Sequence, residues 1–339
     1  MKKIILYVLT LASLLFLNAC GQEKTNVKEN SSKTENEKQI KIVTSIFPSY
    51  DWIKEISKGT DINVSYLTDS GVSLHNYEPS PEDIKKIISS DFFVYLGSHS
   101  DKWAEKIVEE NPNLKAIKLI DIVEENLLEE EIKEGMEDHD HDDDDHDHDD
   151  HDHDEHDHSH HHHHEDEHIW LSIKNAKIIC RVLAEKLSNI DNKNKDLYEK
   201  NLSNYLIKLD ELDNEYKNEL AKAKNKTLVF ADRFPFRYLT EDYNLDYYAA
   251  FTGCSADAEA SFDTLVFLVE KIKELDLKYV FNLTDSDGKI AKTVIENSKK
   301  DLKILKVNSM ESINKAESEK TSYIDIMKEN LNSIKEGLN

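Results

Sequence analysis

From Gln39 onward, short runs rich in β-branched and aromatic residues alternate with stretches in which apolar residues return every three or four positions. QIKIVTSI (39–46) predicts a strand, and PSYDWIKEISKG after it predicts a helix opened by Pro48 and closed by Gly59. INVSYLT is the next strand. SPEDIKKIISS is a helix with Ser80 as N-cap, Pro81 in its first position and two acids in its first turn. DFFVYLG is apolar throughout, as expected of a strand covered on both faces of a parallel sheet. DKWAEKIVEE and LKAIKLI add a further helix and strand. The alternation restarts after residue 225 with KTLVFA, FPFRYLTEDY, LDYYAAF, SFDTLVFLVEKIKEL, KYVFNL, GKIAKTVIENSKK and LKILKV, and SYIDIMKENLNSIKEGL closes the chain as a helix. Repeated β-α units of this kind predict an α/β fold of two lobes, each with a mainly parallel sheet.

Between the lobes, Leu197, Leu202, Tyr205, Leu209, Leu212, Tyr216 and Leu220 recur at three to five residues with charges between them. This predicts one long, stiff linking helix over 191–224, about 45 Å at 1.5 Å per residue. Packing of its apolar face on both lobes is preferred over a coiled-coil dimer, so the chain is expected to be a monomer. The expected division is an N-terminal lobe 39–190, the linking helix 191–224 and a C-terminal lobe 225–339.

The first residues, MKKIILYVLTLASLLFLNACG, read as a secretory signal peptide over 1–19, too short and wrongly flanked for a spanning helix. Leu17-Asn18-Ala19-Cys20 resembles the lipobox of bacterial lipoproteins, which implies acylation of Cys20 and a polar tether over 20–38. In an oxidising compartment Cys180 and Cys254 then stand as either one disulfide or two buried thiols.

Charge is concentrated in one place. The 339 residues carry a formal charge of −26, and residues 137–167 alone hold 13 His, 17 Asp or Glu and one Ser. A segment of that composition cannot bury a core and is expected to be disordered without metal. His139, His141, His146, His148, His151, His153, His156, His158, His160, His161, His162, His163 and His164 alternate with carboxylates as an auxiliary, low-affinity metal collector. No basic face is evident, which argues against a nucleic-acid partner.

Outside the tract the chain has only His75, His99 and His168. Each falls where an open α/β lobe presents a loop beyond the carboxyl ends of its strands, where ligands bind. Any one could be an exposed loop residue. All three at one edge suit Zn²⁺, which takes imidazole nitrogens in tetrahedral geometry. Trp170 is expected beside this site, and Trp52 and Trp103 in the core.

LHNYEPSPEDIKKI, HIWLS after an acidic His-rich loop, the long linking helix and the closing YIDIMKENLNSIKEGL resemble the zinc- and manganese-binding solute-binding lipoproteins of ABC transporters, the ZnuA/AdcA-like group. The likeness runs from about Lys41 to the C-terminus. It implies two (β/α) lobes joined by a rigid helix, metal in the interlobe cleft, and delivery of the ion to a membrane permease. It further implies a protein that is lipid-anchored on the extracytoplasmic face of a Gram-positive membrane and is not an enzyme. Carried over by position, His75 and His168 match the N-lobe ligands, and FADRFPFRYL offers Asp232 for the C lobe. At the usual acidic position VNSMESI has Asn308, so Asn308, His99 and water stay open as the fourth ligand. Three nitrogens and a carboxylate imply zinc over manganese. Binding is expected to weaken as pH falls through about 6.5, the ordinary imidazole value.

Two other function classes stand as alternatives. A zinc hydrolase lacks a His-Glu-x-x-His helix, and a serine hydrolase lacks a Gly-x-Ser-x-Gly elbow. A surface metal buffer or adhesin, with the tract as its working part, would lose all binding if the tract were deleted.

Overall fold

A computed structural model describes residues 39–137, 165–253 and 259–339. The signal peptide, Cys20, the tether, the 13 tract histidines and Cys254 lie outside the described residues.

The N lobe is built from β1 (Ile40–Thr44), α1 (Phe47–Ile56), β2 (Ile62–Tyr66), α2 (Pro81–Ile88), β3 (Phe92–Tyr95), α3 (Lys102–Glu110), β4 (Ala116–Lys118) and a short α4 (Leu119–Ile122). Its sheet is parallel in the order β2-β1-β3-β4. The all-apolar β3 is buried along its whole length, as its composition requires. Ser80 caps α2 by accepting from the Asp83 amide while Asp83 takes the Ser80 amide in return, a reciprocal capping box.

The C lobe comprises β5 (Thr227–Phe234), α7 (Arg237–Tyr243), β6 (Asp246–Thr252), α8 (Phe262–Glu274), β7 (Tyr279–Leu283), α9 (Lys289–Ser298), β8 (Lys303–Val307) and a short α10 (Lys315–Ser318). Its sheet is also parallel, in the order β6-β5-β7-β8. The two lobes are joined by α5 (Ile173–Ile190) and α6 (Lys195–Ala221), and the chain ends in α11 (Tyr323–Gly337).

The linking helix is therefore α6, 27 residues long and about 40 Å at 1.5 Å per residue. Tyr198, Tyr205, Leu209, Leu212, Tyr216 and Leu220 form its buried face. Asn201 donates to the carbonyls of Ile56 (3.0 Å) and Lys58 (2.8 Å) in the N lobe, and the Tyr216 hydroxyl donates to Met327 O in α11 (2.6 Å). One buried cluster runs from Ile42 and Trp52 through α6 to Phe281 and Met327. The apolar face is thus consumed by both lobes.

Two expectations change. Residues 128–137 do not stay on the N lobe: Leu128 N donates to the Tyr238 hydroxyl, Lys133 pairs with Asp246, and Glu137 N donates to Ala250 O at the C-lobe sheet. The tract's borders are ordered: Glu137 bridges Phe251, Glu165 bridges Glu129, and Asp166 and Glu167 are buried. Burial of two acids is offset by the imidazoles they hold, described below. Of the two cysteines in question, Cys180 lies in the core and is a free thiol among the described residues, and burial pushes its pKa well above the usual thiol range.

Candidate metal centre

His75 lies in a single helical turn, Leu74–Asn76, beyond the end of β2. A second turn, His99–Asp101, follows β3. The buried Asp101 accepts the amides of Leu96 (2.8 Å), Gly97 (2.8 Å) and Ser98 (2.9 Å), which folds this loop back on itself. That turn leaves His99 exposed and directs Ser100 inward. The Ser100 hydroxyl donates to Glu167 Oε1 (2.5 Å) and lies 2.8 Å from His75 Nδ1. His99 therefore does not join the cluster; its neighbour does.

His168 is fully buried at the start of the turn Ile169–Leu171. Asp166 Oδ1 accepts both its amide (2.8 Å) and its Nδ1 (3.0 Å), so one carboxylate fixes backbone and ring together. Trp170 packs edge-on against the ring at 5.3 Å and donates Nε1 to Ser309 O (2.7 Å). Gly253 also approaches the ring, and a Cβ there would stand 2.9 Å from His168 Cε1.

The third element is the loop after β8. Asn308 does not face the imidazoles. Its side-chain oxygen accepts the Met310 amide (2.8 Å), and its backbone exchanges hydrogen bonds with Asn330 (2.7 and 2.8 Å). Met310 takes the left-handed conformation (φ 68°), a strained choice for a side chain of that size. The loop so pinned presents Glu311, which is 3% exposed. Asn308 thus shapes the turn, and the acid three residues on enters the site.

Glu311 Oε1 lies 2.6 Å from His75 Nε2 and 3.4 Å from His168 Nε2. The other ring nitrogens point away from it, His75 Nδ1 to Glu167 (2.8 Å) and His168 Nδ1 to Asp166 (3.0 Å). Donor atoms of His75, Glu167 and His168 also lie within 4.8 Å of one another. Because Glu167 sits on the Nδ1 side of His75, it orients that ring, while both Nε2 atoms converge on Glu311. A carboxylate behind each imidazole fixes its tautomer and raises its basicity, as around protein-bound metals. Among the described residues, His75 Nε2, His168 Nε2 and both Glu311 oxygens are buried without a hydrogen-bond partner. Three of these atoms, the two Nε2 and Glu311 Oε1, face one point, which would be costly without a cation to satisfy them.

Electrostatics follow the same geometry. Burial pulls the His75 pKa down, but Glu311 and Glu167 outweigh it and lift it to about 9. Burial opposes protonation of His168 too, and Asp166 and Glu311 raise it well above 6.5. Glu167, although burial pushes it up, is held down to about 2 by His75 and His168. Burial likewise raises Glu311, and Arg233, His75 and His168 together drive it well below the usual carboxylate range.

Asp232 is not part of this cluster. The pairing of β5 with β6 slips between Phe230 and Arg233. A bulge of this kind re-aims the side chains that follow it. Asp232 consequently turns its carboxylate to the amides of Arg233 (2.9 Å) and Leu283 (3.0 Å), filling ladder positions between β5 and β7. Arg233 instead reaches the site, with Nη2 3.5 Å from Glu311 Oε2 and 3.2 Å from Asp285 Oδ2. The groups that converge here are two imidazoles and a carboxylate, His75, His168 and Glu311, with His99, Asp232 and the Asn308 side chain outside them. Glu311 and Glu167 were missed because one sits outside any periodic element and the other looks like the last acid of the tract. A buried acid next to a site histidine in DEHIW was the available signal.

The model of the family described as zinc-uptake complex component A, periplasmic (ZnuA), matches residues 42–337. The chain belongs to the ZnuA family. Within it, the chain is 32% identical over 333 residues to the high-affinity zinc uptake system protein ZnuA of Bacillus subtilis, covering 96% of this chain and 95% of that one. It is 30% identical over 341 residues to the zinc-binding lipoprotein AdcA of Streptococcus pneumoniae, covering 99% of this chain but only 61% of that relative. Among solved structures, the Zn(II)-bound ZnuA-like domain of that AdcA is similar over 88% of this chain and 99% of its own (TM-score 0.67, 27% identity). The metal-dependent lipoprotein YcdH of Bacillus subtilis is similar over 88% of this chain and 100% of its own (TM-score 0.69, 26% identity). The ZnuA-family fold of two parallel-sheet lobes bridged by a long helix is the fold described above.

Proposed function

We propose that this protein captures Zn²⁺ between its lobes outside the cytoplasmic membrane and passes it to the membrane permease of an ABC transporter. The observation that carries the reading is the convergence of His75 Nε2, His168 Nε2 and Glu311 Oε1 in a buried cluster that lacks other partners. Two imidazole nitrogens and a carboxylate oxygen suit Zn²⁺ in tetrahedral geometry with one further ligand. They suit Mn²⁺ less, since that ion takes more oxygens. Similarity to proteins named as zinc-binding lipoproteins, a zinc uptake component and a metal ABC transporter substrate-binding lipoprotein supports the same reading.

The role is binding, not catalysis: Asp166 and Glu167, the acids on the Nδ1 sides of the imidazoles, are each engaged in holding one. Acylation of Cys20 after removal of residues 1–19 anchors a monomer to the outer face of a Gram-positive membrane. No helix among the described residues is long and apolar enough to cross it. The tract histidines end at His164, directly before Glu165, Asp166 and His168, so ions gathered there are released beside the cleft.

The test compares the full chain with a variant lacking residues 138–164, which keeps the ordered Glu165, Asp166 and Glu167. The variant should retain one tightly bound Zn²⁺, lost on adding His75→Ala with His168→Ala. Loss of all binding with the tract would make the protein a surface metal buffer. Equal affinity for Mn²⁺ and Zn²⁺ would make it a manganese carrier.

A further inference from the structure

We infer that Arg233 sets the metal preference of this site, by standing as an ion-pair partner 3.5 Å from one oxygen of Glu311 and leaving the other as a single donor. The inference rests on the reading of the cluster as a zinc site. The two Glu311 oxygens have different surroundings. Oε1 faces His75 Nε2 (2.6 Å) and His168 Nε2 (3.4 Å), whereas Oε2 faces Arg233 Nη2 (3.5 Å). Arg233 cannot easily withdraw. The β5 bulge aims it, and Asp285 Oδ2 holds the same nitrogen at 3.2 Å while accepting the Ser312 hydroxyl at 2.8 Å. Its guanidinium stays charged at every relevant pH.

A carboxylate so restrained binds a metal through one oxygen. Tetrahedral Zn²⁺ needs no more than that from Glu311, with two imidazoles and one further ligand completing the shell. Mn²⁺ and other hard cations seek higher coordination and gain from a carboxylate that opens to both oxygens. Arg233 denies them the second oxygen. Charge alone cannot produce this effect, because a fixed cation repels Zn²⁺ and Mn²⁺ alike and leaves their affinity ratio unchanged. The ratio therefore separates a geometric role from an electrostatic one.

The experiment uses the full chain carrying Arg233→Ala or Arg233→Lys, with the binding of the His75→Ala/His168→Ala chain subtracted to remove the contribution of the tract. Zn²⁺ and Mn²⁺ affinities are measured by chelator competition, and coordination is read from the visible spectrum of bound Co²⁺. Both variants should lower the Zn²⁺-over-Mn²⁺ ratio by about tenfold or more, on the order expected for one added oxygen donor. The intense tetrahedral Co²⁺ bands of the unsubstituted chain should weaken towards those of a higher-coordinate ion. A ratio within twofold of the starting value in a folded Arg233→Ala chain overturns the inference, as does a Lys variant that keeps the original ratio and spectrum. If the unsubstituted chain binds no more metal than the His75→Ala/His168→Ala chain, the zinc-site reading falls first.

Discussion

Zinc affinity should climb steeply between pH 7 and pH 9, well above the range in which an ordinary histidine titrates. His75 is held between Glu311 (2.6 Å) and Glu167 (2.8 Å), and these two carboxylates lift its pKa to about 9 against the pull of burial. Its proton therefore competes with the metal for Nε2 up to that pH. At pH 7.4 the competition amounts to about 1.6 pH units, or roughly 2.2 kcal/mol and a 40-fold weaker apparent affinity, at 1.36 kcal/mol per unit. His168 is shifted in the same direction and can add a second proton. The sign for the metal-free fold is the opposite. A raised imidazole contributes stability that is fully present below 6.5 and is lost as pH rises through about 9. Apparent Kd measured by chelator competition from pH 6.5 to 9.5, on the chain lacking residues 138–164, should fall by one to two log units per pH unit below pH 9. Calorimetry at pH 7.4 in buffers of different ionisation enthalpy should record at least one proton released per ion. A Kd that is flat above pH 7, with no proton released, would refute the reasoning.

Three further outcomes follow from the same contacts. Glu167→Gln should weaken Zn²⁺ binding about 10–100-fold at unchanged stoichiometry, because Glu167 orients His75 without taking the ion; a loss as large as that of Glu311→Ala would make Glu167 a direct ligand. Gly253→Ala would set a Cβ 2.9 Å from His168 Cε1 and 3.0 Å from Phe234 O, and His168 is pinned by Asp166. That variant should lose about tenfold or more in zinc affinity and also unfold at a lower temperature, and a calorimetric scan with unchanged Tm and Kd would count against the packing described. Asp51 has its pKa raised to about 6 by burial, so its contribution to stability is present below its unfolded value of 3.8 and is lost as pH rises through about 6. Asp51→Asn keeps an acceptor for the Tyr323 amide and should stabilise the fold at pH 7.5, by at most about 3 kcal/mol at 1.36 kcal/mol per unit; urea titrations at pH 4 and 7.5 in which the two chains differ equally would rule this out.

The lobes were legible because a parallel sheet covered on both faces demands continuous apolar strands such as FFVY, and because caps such as Ser80 mark helix starts. The linking helix was legible from its stripe of Tyr and Leu. His75 and His168 could be placed at strand ends from order alone. The C-lobe donor could not. A single slip of pairing in β5 exchanges the roles of Asp232 and Arg233, and no periodicity of the sequence encodes it. The same limit applies after β8, where the left-handed Met310 turns Glu311 inward and uses Asn308 as a strut. Ligands on irregular backbone depend on loop geometry set by distant contacts, here those of Asn330 and Trp170.

Those contacts also bear on how an ion could leave. The loop bearing Glu311 is tied to the N lobe by Trp170 Nε1 to Ser309 O (2.7 Å) and by the Tyr66 hydroxyl to Ile313 O (3.0 Å). Opening the whole interface would expose a core that runs unbroken through α6 between the lobes, including Trp52, Tyr205, Tyr216 and Met327. At about 1.5–3 kcal/mol for each large apolar side chain, parting that whole core costs more than displacing residues 308–313. That displacement breaks five hydrogen bonds at about 1 kcal/mol each, the two above with those of Asn308 to Asn330 and of Ser312 to Asp285, and exposes Met310 and Ile313. Displacing residues 308–313 alone removes one of the three converging donors while both imidazoles stay braced by Asp166 and Glu167. For an ion held as proposed, the cheaper exit would therefore lie through that loop, with Glu311 the first donor lost and the linking helix confining the movement to the site.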